Sequence, residues 1–280
     1  MFTKISTTWS LMGDSWDVLK QDKELLLFPL FSGISCLFVM ACFAIPLFAT
    51  NNFRPPTADA SILSHVSYYL SLFAFYLCNY FVIIFFNAAI IACVRIRVSG
   101  DNPTVADGLR AAFGQIHAIL GWAFIAATVG VILRMIEDRS RWVGALVASL
   151  LGLAWTLVSF LVVPVLVIEG IGPVDALKRS TTLLRQTWGE QIIGNFSFGI
   201  IFFLLSLPLV ALFVVAVMIG GPLGVALIVV AVAAGILLAL AQSVLATVFQ
   251  AALYLYVRDG RAPAGFSDQA MHNAIGHHDR

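Results

Sequence analysis

A helix needs about 20 apolar residues to cross a hydrocarbon core roughly 30 Å thick, and this chain offers six such runs. They cover residues 25–49, 66–94, 117–136, 142–168, 192–219 and 223–256. Only Gly220-Gly221-Pro222-Leu223-Gly224, a helix-breaking turn without a charge, separates the last two. A single helix over 192–256 would be about three bilayer cores long. The sixth run still exceeds one crossing, so it tilts or projects past the membrane. Composition agrees: hydrophobic residues make up 60% and charged residues 11% of the 280. A soluble domain carries about 45–50% and about 25%. With a mean hydropathy of +0.96, the chain cannot hide its apolar surface inside a globule. It reads as an integral membrane protein.

The formal net charge of +1 gives no footing for nucleic acid, a polybasic lipid anchor or an acidic substrate. The four cysteines, Cys36, Cys42, Cys78 and Cys93, sit inside apolar runs without C-x-x-C spacing and read as small buried hydrophobes. The first 24 residues are polar and the first apolar run is too long for a signal-peptide core, so that span is expected to remain as an anchor. Lys and Arg set the orientation. Twelve fall in the N-terminal segment, the 95–116 and 169–191 loops and the C-terminal tail, whereas four (Arg54, Arg134, Arg139 and Arg141) lie on the other side. Both termini are therefore expected in the cytoplasm, in a bacterial inner membrane.

The cytoplasmic segments share a local pattern: Asp17-Val18-Leu19-Lys20, Asp107-Gly108-Leu109-Arg110 and Asp175-Ala176-Leu177-Lys178. Asn102-Pro103 and Gly172-Pro173 supply a proline suited to a helix start. Acid near the helix start and base one turn later is what a helix dipole favours. The expected fold is all-α: six transmembrane helices as three hairpins, each preceded by an amphipathic cytoplasmic elbow helix. Leu19, Leu109 and Leu177 would face lipid or the bundle. A triplicated unit and three independent interfacial helices both account for the pattern. The expected organisation is a cytoplasmic amphipathic segment over 1–24, a six-helix domain over 25–256 and a cytoplasmic tail over 257–280.

Three stretches carry a resemblance. Val163-Pro164-Val165-Leu166-Val167-Ile168-Glu169-Gly170, then Gly172-Pro173 through Lys178-Arg179-Ser180, then Thr187-Trp188-Gly189 resemble the central signature of a family of uncharacterised six-span bacterial membrane proteins. The tail from Tyr254 through Gly260 to Phe266 resembles that family's ending. The pattern is more loosely similar to the membrane domain attached to some glycerophosphodiester phosphodiesterases. The resemblance implies a fold. It carries no activity, because this chain has no soluble catalytic domain and no metal-binding carboxylate cluster.

Polar residues at membrane depth are costly and mark candidates for function. Tyr69, Tyr76, Tyr80 and Asn87 fall on one face of the second span, and Ser243, Thr247, Gln250 and Tyr254 on one face of the sixth. Asn195 and Ser206 of the fifth span are placed to join them. Such a seam conducts an ion or solute, or it is interhelical glue worth about 0.6–2 kcal/mol per contact. No Asp, Glu or Lys sits mid-membrane to couple protons or bind a cation. Two stripes of small residues, Gly144/Ala148/Gly152/Thr156 and Ala231/Gly235/Ala239/Ser243, mark close helix packing within the chain or a homo-oligomer interface.

The remaining candidates have structural readings. Arg134 is the deepest charge, one turn from Asp138, with Glu137 four residues from Arg141. Glu169 is placed to accept hydrogen bonds from the N-terminus of the following elbow helix. Trp16, Trp122, Trp142 and Trp188 fall near predicted interfaces. Pro29, Pro46, Pro164 and Pro208 interrupt spans. His272, His277 and His278 lack ligand spacing, and no catalytic motif or cofactor fingerprint occurs.

The expected function is that of a non-enzymatic membrane protein, without cofactor or metal, that engages membrane lipids, a membrane protein partner or a second copy of itself. The alternative is a channel or passive transporter using the seam of spans two, five and six. The orientation is directly testable. Cysteines introduced at Asn52 and Ser267 should label from outside and inside respectively with an impermeant reagent, and the reverse pattern would overturn the topology.

Overall fold

In hydrocarbon a backbone must satisfy its own hydrogen bonds, so a run of this length becomes helix. The computed structural model of the chain describes residues 2–50, 61–139, 143–187 and 198–275, and among them it is all-helical with no strand. The helices are α1 (Phe2–Gln21), α2 (Leu27–Thr50), α3 (Ile62–Val98), α4 (Val105–Gly114), α5 (Ile116–Arg139) and α6 (Val143–Ser159). They continue with α7 (Val162–Glu169), α8 (Pro173–Thr187), α9 (Phe198–Ile219), α10 (Gly221–Asp259) and α11 (Asp268–Ile275), and a 3-10 turn, Lys23–Leu26, joins α1 to α2. Among the described residues, six segments are long and apolar enough to cross a membrane: Lys23–Ile45, Ile62–Val98, Ile116–Asp138, Gly144–Glu169, Ile201–Ile219 and Gly221–Asp259.

Two of these helices are far longer than a bilayer core. α3 has 37 residues and α10 has 39, or about 55 and 58 Å. Exposure along each helix shows how the surplus is used. On α3 the exposed large apolar side chains run from Ile62 to Ile83, and Ile84 through Val94 are then largely buried in protein. On α10 they run from Leu223 to Leu237, and Val244 through Leu255 are then largely buried. An exposed apolar band of this extent is stable against hydrocarbon, not water. Each helix therefore runs bare through lipid and continues into a protein core.

The chain divides into two compact units. The first comprises Met1–Pro29, Val94–Pro103 and Leu183–Arg280. Here α1 and α11 pack together and α1 packs along α10, burying Leu11, Val18, Tyr254 and Met271. α9 and α10 form a hairpin whose turn needs glycine. Gly220 and Gly221 both have φ of 62°, in the left-handed region that side chains disfavour. A Cβ on Gly224 would lie 2.5 Å from the Ala216 carbonyl oxygen. The break expected between the last two spans is present. The N-terminal segment and the tail are not appendages: Asp14 accepts a hydrogen bond from the Ser267 amide at 3.0 Å.

One polar contact organises this unit. The Arg97 guanidinium, in the last turn of α3, donates through Nε and Nη2 to both carboxylate oxygens of Asp22 and through Nη2 to Asn102 Oδ1. Asp22 is 7% exposed. It lies between α1 and the 3-10 turn, where its own amide and carbonyl also bond to Val18 and Leu25.

The second unit comprises Leu30–Cys93 and Thr104–Thr182. Aromatic rings carry much of its packing, including Phe85 edge-on to Phe113 at 4.9 Å and Phe73 edge-on to Phe124 at 5.2 Å. α4 starts on a reciprocal cap: Thr104 accepts from the Asp107 amide, and Asp107 accepts from the Thr104 amide and hydroxyl. Those bonds from Thr104 hold the Asp107 carboxyl below its usual range.

The three elbow segments are helices α1, α4 and α8, and each repeated acid–base pair is formed, at 2.6, 3.5 and 3.3 Å. One expectation needs correction. Asp17 and Lys20 close α1 instead of opening it, so the dipole argument holds for α4 and α8 alone. Of the three leucines, Leu19 is buried and Leu109 and Leu177 are half-buried. The residues that turn inward in all three are the one after the acid (Val18, Gly108, Ala176) and the one four further on (Asp22, Ala112, Ser180).

Removing one partner of a buried ion pair leaves an uncompensated charge. Arg97→Ala is expected to destabilise the protein by about 3 kcal/mol, read as a lowered midpoint of thermal unfolding in detergent. A change within error would show that the Asp22 contact is not needed.

Candidate functional site

The motif residues converge in the second unit on a broken helix. The fourth apolar run, expected as one span over 142–168, is two helices, α6 and α7, separated at Phe160–Leu161. Pro164 explains the break: it has no N–H for the Phe160 carbonyl, and its ring crowds that carbonyl. Two backbone groups at the break are taken up by one side chain. Ser180 of α8, fully buried, accepts from the Leu161 amide at 3.2 Å and donates to the Val158 carbonyl at 2.7 Å. α7 then ends on Gly170, with φ of 67°, where a Cβ would come within 3.4 Å of Gln115 Nε2.

The rest of the motif fastens α8. Pro173 occupies the first position of the helix, where no N–H is required. Its ring packs so closely on α5 that a Cβ at Gly121 would lie 3.0 Å from Pro173 Cγ. Glu169 accepts from Arg179 Nε at 3.3 Å, a side-chain partner two turns into α8 beyond the helix start anticipated for it. Lys178 pairs with Asp175. Trp188 lies outside the described residues. Trp122, expected in an interfacial belt, is buried and stacks on Trp155 at 5.4 Å between centroids. Trp16 is exposed.

The predicted seam is distributed over both units. Tyr69, Tyr76, Tyr80 and Asn87 belong to the second, and Ser243, Thr247 and Gln250 to the first. Tyr76 and Tyr80 lie against Gly130 of α5, where a Cβ would be 3.0 Å from Tyr76 and 3.5 Å from Tyr80. They are packed against a third-span glycine. Thr247 is buried and returns its hydroxyl proton to the Ser243 carbonyl of its own helix at 2.9 Å. Asn87 and Gln250 are half-buried, and Asn195 lies outside the described residues.

The small-residue stripes differ in role. A Cβ on Gly144 would strike the Ile136 carbonyl, and one on Gly152 would touch Leu133 at 3.8 Å. With half-buried Ala148, this stripe seats α6 on α5 within the chain. Gly235 meets nothing within 4 Å. Gly235 and exposed Ala239 line an open groove of about 440 Å³ between α9 and α10, with Ser206 and Gln242. A second groove of about 690 Å³ lies among α1, α9 and α10, walled by Met12, Trp16, Leu205, Pro208, Leu238 and Leu245. Apart from backbone, its lining is apolar.

Arg134 pairs with Asp138 at 3.3 Å, as expected, and also with Glu137 at 3.0 Å; Arg141, the partner expected for Glu137, lies outside the described residues. One further expectation changes. Pro29 sits in the first turn of α2 and does not interrupt it. Sequence reasoning missed Arg97, counted only as a topology charge, and Asp22, read only as part of a polar N-terminal segment. The signal was Arg97 standing at the end of an apolar run beside a second arginine. Among the described residues no group of three His, Cys, Asp or Glu is placed to hold a metal.

A family model described as a family of unknown function (DUF6159) matches residues 66–266. No curated protein and no solved structure matches the chain, and none of these comparisons ties it to a glycerophosphodiester phosphodiesterase.

The matched stretch contains the helix break and its serine. Ser180→Ala would orphan a buried amide and a half-buried carbonyl, at an expected cost of about 2 kcal/mol. Thermal unfolding in detergent measures this, and an unchanged midpoint would show that water or neighbouring backbone replaces the hydroxyl.

Proposed function

This chain belongs to the DUF6159 family of unknown function, and from that premise we propose that it is a non-enzymatic integral membrane protein that engages membrane lipid. The groove among α1, α9 and α10 is where an acyl chain lodges. The observation that carries this reading is a cleft of about 690 Å³ with an apolar lining, opening beside exposed Leu205, Val210 and Leu237 on helices long enough to span a membrane. In a bilayer the material in contact with such a cleft is hydrocarbon. The gain from filling it is close packing and dispersion, since lipid tails and leucines are equally apolar. Exposed Trp16 on its α1 wall suits a headgroup-level rim. In this reading both termini face the cytoplasm.

The conduction alternative is less supported. Tyr76 and Tyr80 are packed against Gly130, and Thr247 bonds to its own helix, as residues serving adhesion would be.

Filling the groove with Ala234→Phe/Ala241→Phe should abolish retention of a discrete phospholipid, read by native mass spectrometry of detergent-purified protein. Unchanged retention would sink the groove assignment. A cross-linked dimer through this face would replace lipid by a second copy. Ion flux in proteoliposomes that Asn87→Leu/Gln250→Leu removes would instead establish the conduction path.

A further inference from the structure

The C-terminal ends of α3 and α10 enclose a second kind of pocket in the first unit, polar and about 470 Å³ in volume. Its wall carries Arg95, Arg258 and Arg261 against a single carboxylate, Asp259, with Ser99 and Leu255 between them. Arg258 is already committed. It donates to both Asp259 oxygens at 2.6 and 2.8 Å, and its guanidinium lies over the Tyr254 ring, 6.0 Å from the centroid. Among the described residues no carboxylate lies within ion-pair distance of Arg95 or Arg261. Ser99 spends its proton on the Arg95 carbonyl at 2.9 Å. The nearby Asp268 accepts from the Ala262 amide at 3.1 Å.

The charge balance can be estimated. Three guanidinium groups and one carboxylate leave two formal positive charges, and each of the two helix C-termini offsets roughly half a charge. About one positive charge remains, on two arginines whose planar N–H forks match a tetrahedral oxyanion. Place matters as well. Leu245 walls the lipid groove and Leu255 this pocket, ten residues or about 15 Å further along α10. The pocket therefore lies beyond the groove, where the helices have left their lipid-exposed stretch.

We propose that this pocket binds a phosphate group. Arg95 and Arg261 supply the donors, and the Arg258–Asp259 pair, fixed on Tyr254, forms the wall that holds them apart. A water-borne phosphate and the phosphodiester of a phospholipid headgroup present the same chemistry, and the inference is independent of the acyl groove.

The test uses the full chain in a neutral maltoside detergent, with two probes. Equilibrium dialysis measures radiolabelled inorganic phosphate, and native mass spectrometry measures retained phosphatidylglycerol against phosphatidylcholine. Binding in either arm that falls at least about tenfold in Arg95→Gln/Arg261→Gln supports the site. The phosphate arm assigns a water-borne source and the phosphatidylglycerol arm alone a lipid source. Arg261→Gln by itself, in the exposed turn after α10, decides the matter should the double variant not fold. Binding in neither arm, or binding that these variants leave unchanged, overturns the proposal.

Discussion

The contact between Arg97 and Asp22 is the constraint around which the first unit is arranged. α3 has to end where a charged residue can be stabilised, and α1 has to turn into α2 without exposing its polar joint. A bidentate guanidinium–carboxylate pair does both at once, and Asn102 satisfies part of the remaining donor capacity. Such a pair adds modest net stability, because taking two charges from water costs nearly what their attraction returns. Its value lies in position. With Asp22 nearly buried, any other placement of α1 against the end of α3 would strand a carboxylate.

The same economy governs the second unit at the α6–α7 break. Pro164 removes a donor and displaces a turn in a segment otherwise apolar enough to span a membrane. Irregular backbone at such a depth is tolerated when protein satisfies it. Ser180 does so with a single hydroxyl acting as donor and acceptor. Proline, serine and the glycine at the end of α7 thus form one device. The stretch from Pro164 to Ser180 is a set of residues that permits a bend, and the elbow helix α8 is held by that bend.

The exposed and buried stretches of α3 and α10 relate this architecture to function. A helix that runs bare and then buried serves two environments. On α10 the lipid-facing half walls an apolar groove, and the covered half ends at a basic pocket. Both features are open clefts in one compact unit, and neither is built around a catalytic constellation.

Much of this was legible in the sequence, and the physical reason is the bilayer. Hydropathy and run length specify six helices because a single segment satisfies its own backbone in hydrocarbon only as a helix, and Gly220-Gly221 specify a turn because both need positive φ. The repeated acid–base spacing likewise announced three elbow helices, each with its pair formed. Tertiary structure alone decided partners, since periodicity places a residue on a face without saying what that face meets. Trp122 was as plausible at an interface as stacked on Trp155. Tyr76 was as plausible in a pore as against Gly130, and Gly235 as plausible in a tight contact as in an open groove. Arg97 looked like a topology charge until the fold brought Asp22, 75 residues earlier in the chain, to its guanidinium. The bilayer dictates local structure through composition, whereas the pairing of distant polar groups depends on how the helices are packed.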